Sequence, residues 1–470
     1  SKAEPLFLEA KSIQEKVMGK EHQDYAGNLI NLATLYLEMG QYEKAEPLFL
    51  EAQEIFESSN NLNHPFYMNC LNNLAGLYYN MNQYAKVEAL VLETKSIREK
   101  VLGKEHPYYA SSLNNLATFY SEMGQNEKAE SLFLEAKEIF ESSNNLNHPF
   151  YTNCLNNLAD LYREIGQFSK AEALLLETKA IREKVLGKEH PYYASSLGNL
   201  AVLYFSMGQY EKAEVLFRES KTIQKKVLGK EHPYYVSSLN SLATLNSDMG
   251  QYEKAEPLYM ELSTTNKLLL ERATHHLSEK EMNSYLNMFS ESQNQILSFV
   301  QIANSKKAIT ACYDNTLFYK GFLLNAANRV KQLAHIDSAS TEKYNLLKSY
   351  ERRLANQYSK SIAERMGVEE LEEKANALEK DLTRTVAGFG EAIRQVSWQE
   401  VQAKLKEGEA AIEFVHYHFY HKRQTDSTLY AALVLRKEMS TPVFIKLFEQ
   451  AALDSLLQVQ NERKADYVNH

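Results

Sequence analysis

Histidine and cysteine are the side chains that most readily bind a metal or supply a thiolate nucleophile, and this 470-residue chain carries thirteen of the first and three of the second. Cys70, Cys154 and Cys312 show neither Cys-x-x-Cys spacing nor a Cys/His ligand pattern, and three are too few for a disulfide framework. Cys70 and Cys154 stand 84 residues apart in the same local sequence, which reads as a repeated buried small residue. His64, His106, His148, His190 and His232 each precede a proline and recur every 42 residues, with His22-Gln23 as an earlier variant. Positions one structural repeat apart cannot share an ion, so these histidines are expected to start helices. His416 and His418 would share a strand face and could hold a metal, but an ordinary polar face explains them, and no thiol follows Cys312 in sequence. These residues predict no catalytic group, metal site or cofactor.

The elements that carry these residues are announced by the same period. Gly-Gln-Tyr-Glu-Lys-Ala-Glu begins at Gly40 and returns, with variation, at Asn82, Gly124, Gly166, Gly208 and Gly250, again every 42 residues. No insertion breaks the register, as expected when each unit stacks on the next. Within residues 106–145, Pro107 suits a first helical position, and Leu113, Leu116, Ala117 and Tyr120 share one helix face that ends near Gly124. Ala129, Leu132, Phe133, Ala136 and Ile139 mark a second helix. Gly19, Asn61, Gly103, Asn145, Gly187 and Gly229 are predicted to end the second helices in the left-handed conformation that glycine and asparagine tolerate. An 84-residue super-period repeats whole segments: IFESSNNLNHPFY at 55 and 139, IREKVLGKEHPYYASSL at 97 and 181.

Asn-Leu-Ala-x-x-Tyr (Asn115 to Tyr120), the Gly208–Glu214 heptad and Leu-Gly-Lys-Glu-His-Pro (Leu102 to Pro107) resemble the tetratricopeptide repeat (TPR), in the 42-residue form of kinesin light chains. The resemblance covers residues 1–262 and implies a mainly α, right-handed solenoid of about six helix pairs, the surplus residues lengthening the second helix and its loop. Small Ala33, Ala75, Ala117, Ala159, Ala201 and Ala243, with tyrosines such as Tyr36 and Tyr120, read as core. In such repeats the first helix lines an inner groove, which implies Asn31, Asn73, Asn115, Asn157 and Asn199 on it, with Asn72, Asn114 and Asn156 beside them. Amides that both donate and accept can clamp an extended peptide backbone, or can simply tie adjacent repeats together. Glu38, Glu122, Glu164 and Asp248 follow one to two turns later, so the expected partner is a neutral or basic protein rather than a chain-terminal carboxylate.

Beyond residue 262 the markers fade, and residues 263–400 read as a helical linker that caps the array, with Val368, Leu371, Ala375, Leu378 and Leu382 forming one packing stripe. Residues 401–470 change period: 409–420, 429–436 and 442–448 predict a strand meander, followed by a helix from Ala451. SWQEVQAKLKEGEAAIEFVHY resembles the opening of a CHAT domain, the caspase- and separase-like cysteine peptidase family, and KGFLLNAANRV at 320–330 and the 378–382 run resemble the linker before it. The resemblance implies a partial α/β segment without the His/Cys dyad, chain ends that fall in mid-repeat and mid-domain, and a scaffold that regulates such a peptidase. It also implies a possible RNA-guided partner, a CRISPR effector of type III-E. A non-catalytic adaptor like kinesin light chain is the alternative. A net charge of -9 argues against direct nucleic-acid binding, and the absence of long apolar runs against a membrane span, leaving a cytoplasmic protein as the expectation.

Overall fold

The computed structural model describes residues 3–62, 64–273, 285–287, 289–333, 338–358, 366–385, 396–421 and 423–459. They fall into two compact units, Ser1–Ser238 and Leu239–His470.

The first unit is a stack of antiparallel helix pairs. After α1 (Ala3–Met18), the first helices of successive repeats are α2 (Gln23–Glu38), α4 (Pro65–Asn80), α6 (Pro107–Glu122), α8 (Pro149–Glu164) and α10 (Pro191–Ser206), each of 16 residues. The second helices are longer: α3 (Tyr42–Ser58) and α7 (Asn126–Ser142) have 17 residues, and α5 (Tyr84–Leu102), α9 (Phe168–Leu186) and α11 (Tyr210–Leu228) have 19. Each first helix packs on its own second helix and on that of the preceding repeat. The histidine of each repeat is the N-cap: its Nδ1 accepts a backbone N–H two residues on, at 3.2 Å for His64 and 3.1 Å for His106.

The Gly-Gln-Tyr-Glu-Lys-Ala-Glu motif now reads as a set of joints. Gly40 takes φ +70°, its N–H donates to Leu37 O at 3.0 Å, and Gln41 N–H reaches back to Tyr36 O at 2.8 Å. That pair of bonds is the Schellman stop of a first helix, and it recurs at Asn82/Gln83, where asparagine holds φ +58°. The motif alanine is buried, its lysine lies over the preceding tyrosine ring (Lys128 Nζ 5.0 Å from the Tyr120 centroid), and its last glutamate accepts the tyrosine hydroxyl of the next repeat. Tyr78–Glu46, Tyr120–Glu88, Tyr162–Glu130 and Tyr204–Glu172 span 2.7–3.0 Å, so each packed ring satisfies its hydroxyl across a repeat boundary.

Second helices end in two ways. Gly19, Gly103, Gly187 and Gly229 have φ between +82° and +85°. In the other units the positive φ falls one residue before the expected asparagine, on Asn60 (+52°) and Asn144 (+54°), while Asn61 and Asn145 donate to Phe56 O and Phe140 O to close a Schellman pair. The reason is the shorter helix, which stops at Ser58 or Ser142 and turns earlier.

The second unit contains the rest of α12 (Pro233–Asp248), then α13 (Tyr252–Ala273), α14 (Ser290–Ala303), α15 (Lys306–Leu333), α16 (Ser338–Tyr358), α17 (Val368–Thr385) and α18 (Trp398–Lys404). Tyr259 of α13 packs at a tilt on Phe299 of α14 with centroids 4.8 Å apart, and Ser263 donates to Asn315 of α15 at 2.9 Å. The stripe on α17 packs on α16, joining Leu347, Ala375 and Leu382. Strands β1 (Ala410–His421), β2 (Arg423–Arg436) and β3 (Val443–Glu449) form an antiparallel meander, followed by α19 (Gln450–Val459). One sheet face buries Tyr417, Leu429, Ala431, Leu433 and Leu435, and the Tyr420 backbone N–H and Ser298 Oγ of α14 join at 2.9 Å. The opposite face leaves Ile412, Phe414, Val443 and Ile445 exposed.

Candidate functional site

The first helices bring the predicted asparagines into one row, and most of the row is bonded to itself. Asn73 Nδ2 donates to Thr34 Oγ1 at 2.9 Å, Asn115 Nδ2 to Asn72 Oδ1 at 3.2 Å, and Asn157 Nδ2 to Asn114 Oδ1 at 3.1 Å and Thr118 Oγ1 at 3.3 Å. These three amides tie each repeat to the one before. The next rung is open: Asn199 is exposed, and Asn156 Oδ1 is buried without a hydrogen-bond partner among the described residues. Asn31, at the other end of the row, is exposed as well.

Asn72, Asn73, Asn114 and Asn115 also line a cavity of about 650 Å³. Its other walls are the start of α4, the last turn of α5, and the first residues of α6 and α8, including Met68, Val101, Leu102, Tyr108 and Phe150. The volume suits several side chains of a bound molecule. A smaller space of about 170 Å³ surrounds the open rung, between Asn156, Asn157, Asp160, Arg163 and Asn199.

Glu122 and Glu164 sit at the far ends of α6 and α8, exposed and outside the large cavity. Desolvation raises the Glu122 carboxyl above its ordinary value, and the Glu164 charge adds to this against the lowering effect of the Tyr79 hydroxyl. From Ser111 to Glu122 is eleven helical steps, roughly 16 Å, beyond the screening length of about 8–10 Å.

Sequence reasoning missed Arg98. This guanidinium, 7% exposed, lines the cavity from the end of α5, donates to Tyr108 O at 2.9 Å and lies 5.8 Å from the Tyr108 ring centroid. Burial lowers its pKa. The expectation about charge considered first helices only, whereas this cation belongs to a second helix. The signal was present: Arg98 and Arg182 stand where alternate repeats have Phe56 and Phe140, rings that stack on His64 and His148.

The three thiols are buried, and desolvation pushes Cys70, Cys154 and Cys312 each up to about 12, far from a thiolate nucleophile. His416 packs against Tyr430, and His418 Nδ1 meets Thr428 Oγ1 at 3.2 Å; His421 has no described side chain. Among the described residues no cluster of three or more His, Cys, Asp or Glu is placed to hold a metal, and no helix is long and apolar enough to cross a membrane.

No curated protein sequence matches the chain. Among solved structures it is similar to a kinesin-light-chain-type protein of Podosopora anserina with nearly identical TPR-like repeats: 30% identity over 43% of this chain and 96% of that one, TM-score 0.37. It is also similar to BtubC of P. vanneervenii (24% identity, 48% and 89% covered, TM-score 0.39) and to a Rap protein complexed with Competence and Sporulation Factor (13%, 77% and 99%, TM-score 0.40). The tetratricopeptide-repeat family model matches in six overlapping segments, 1–58, 26–100, 67–142, 108–184, 151–226 and 192–264. Capped helix pairs in an unbroken 42-residue register, matched by that model over more than half the sequence, make this chain a member of the tetratricopeptide-repeat family.

Proposed function

We propose that the chain is a protein-interaction scaffold whose first unit holds an extended polypeptide along the first helices, over the cavity lined by α4, α6 and α8. The observation that carries this is the cavity itself, whose wall joins apolar side chains to a row of amides. Because Asn115 and Asn157 also tie repeats together, replacing them would confuse binding with stability. Asn69 is the better probe: it is exposed and lines the cavity. In the full chain, Asn69→Trp is expected to abolish capture of peptides from a displayed library while leaving the helical melt unchanged. Undiminished capture would refute the groove.

For the second unit we keep the reading that follows from the resemblance near residues 397–417: the opening strands of a CHAT-like domain, making the chain the regulatory part of a caspase-like cysteine peptidase, with an RNA-guided effector as a candidate partner. The meander followed by a helix supports it, as does the exposed apolar face carrying Ile412, Phe414, Val443 and Ile445, because a contiguous apolar face of this kind is one that a further layer of a domain or a partner covers. On this reading the chain alone cleaves no fluorogenic peptide and its native thiols resist iodoacetamide; rapid labelling of Cys312 would count against it. Co-elution with a type III-E effector on gel filtration tests the partner. A non-catalytic adaptor makes the same prediction for the thiols and differs in lacking that complex.

A further inference from the structure

The 84-residue super-period supplies an internal control for the cavity. Arg98 and Arg182 are equivalent, each donating to the carbonyl of the tyrosine that follows the next His-Pro, and each is nine-tenths buried. Their other contacts differ. Arg182 Nη2 also reaches Thr152 Oγ1 (3.5 Å) and Asn153 Oδ1 (3.4 Å). Thr152 is replaced by Met68 in the earlier copy, a side chain that offers no such oxygen, while Asn69, the counterpart of Asn153, is retained and lines the cavity but makes no hydrogen bond to Arg98. Arg98 is left with Tyr108 O as its hydrogen-bond acceptor, and its Nε is buried without a partner among the described residues. A buried cation with unused donors is costly unless a ligand completes it.

Resting on the groove reading above, we infer that this cavity receives an aspartate or glutamate side chain from within an extended polypeptide, paired to Arg98 and flanked by an apolar residue. The cavity lining carries Arg98 and no carboxylate, so the local field favours an anion. Met68, Val101, Leu102 and Phe150 provide the apolar wall for the neighbouring residue. The amide row continues past the cavity to Asn157, giving room for chain on both sides, which favours an internal side chain over a terminal carboxylate. The neutral or basic partner expected from Glu122 and Glu164 is thereby revised at this end of the helices.

The test uses the full chain against an array of nonapeptides acetylated and amidated at their ends, alongside the same array with free C-termini. Capped binders are expected to carry Asp or Glu beside a large apolar residue. Changing that acid to its amide should weaken binding by about ten-fold or more, but should cost nothing further in Arg98→Gln. That variant has natural precedent, since buried Gln224 occupies the equivalent place three repeats later. Met68→Thr, which recreates the oxygen that Arg182 already has, should shrink the difference between the acidic peptide and its amide, a readout that loss of the apolar wall alone would not move, and serves if Arg98→Gln melts early; Arg182→Gln should leave binding intact. Binders without acids, or an equal acid-to-amide loss in Arg98→Gln, would overturn the Arg98 pairing while sparing the groove. Binding only by free C-termini would overturn the internal side chain, and no binders in either array would overturn groove and pairing together.

Discussion

Each unit is held together internally, and the contacts that do so differ greatly in reach. In Ser1–Ser238 the recurring bonds join residues 26, 32 or 43 apart, as in Tyr151–Glu177, Tyr162–Glu130 and Asn157–Asn114. In Leu239–His470 they join residues much farther apart, as in Lys320–Glu413 (93) and Tyr420–Ser298 (122). A stack of near-neighbour interfaces confines damage to adjoining repeats, whereas a unit knit by distant contacts loses its parts together. Phe133 of α7 and Phe299 of α14, each 1% exposed, test this directly. Truncating either to alanine should cost about 3–5 kcal/mol. By hydrogen exchange, Phe133→Ala should strip protection from α6 to α8 and spare α2 and α3, while Phe299→Ala should expose α13, α14 and β1 at once. Equal loss across α2 to α10 in the first variant would abolish the contrast.

Backbone strain gives a smaller effect, again readable by comparing repeats. A Cβ at Gly166 meets nothing within 4 Å, so Gly166→Ala should cost only the positive-φ penalty, about 1–2 kcal/mol in urea denaturation. Gly198 is helical, and a Cβ there would touch only Ser220 Oγ at 3.7 Å, an ordinary contact; Gly198→Ala should stabilise by about 0.5–1 kcal/mol. Next comes the amide row. Asn115→Ala removes a bond between repeats and should cost about 1 kcal/mol, whereas Asn199→Ala, at the open rung, should leave the melt unchanged.

The same contrast explains what the sequence made legible. In the repeats each role recurs unit after unit, so the first-helix limits, the His-Pro starts and the buried alanines follow from spacing alone. The strands at 409–420, 429–436 and 442–448 were visible from composition, within one residue of β1 and β3, while β2 starts six residues earlier than expected, at Arg423. What spacing could not convey was which surface a polar side chain meets. Asn115 and Asn157 were readable as groove residues or as ties, and only the facing oxygens of Asn72 and Asn114 decide their hydrogen bonds. Arg98 escaped notice because its meaning lies in Met68, thirty residues away, failing to do what Thr152 does for Arg182. The early turn at Asn60 likewise depends on where α3 stops rather than on which residue is asparagine.

The smallest expected effect lies in the caps, and it sets one histidine's surroundings against the rest of its helix. His148 Nδ1 accepts the Phe150 N–H at 3.2 Å, and its ring lies against Phe140 and Phe150, with centroids 5.9 and 5.0 Å away. Burial lowers its pKa from the ordinary 6.5, and the charge on His106 pushes the same way. The folded state therefore prefers the neutral ring, whose unprotonated Nδ1 is what the cap requires. Since the folded pKa lies below the unfolded one, this contribution is complete above pH 6.5 and is lost as pH falls through the depressed value. His148→Asn keeps a capping oxygen but does not titrate. Melting both proteins between about pH 7 and about pH 5 should show the wild type losing more stability than the variant. Parallel loss would mean that the ring's burial between Phe140 and Phe150 does not govern its protonation.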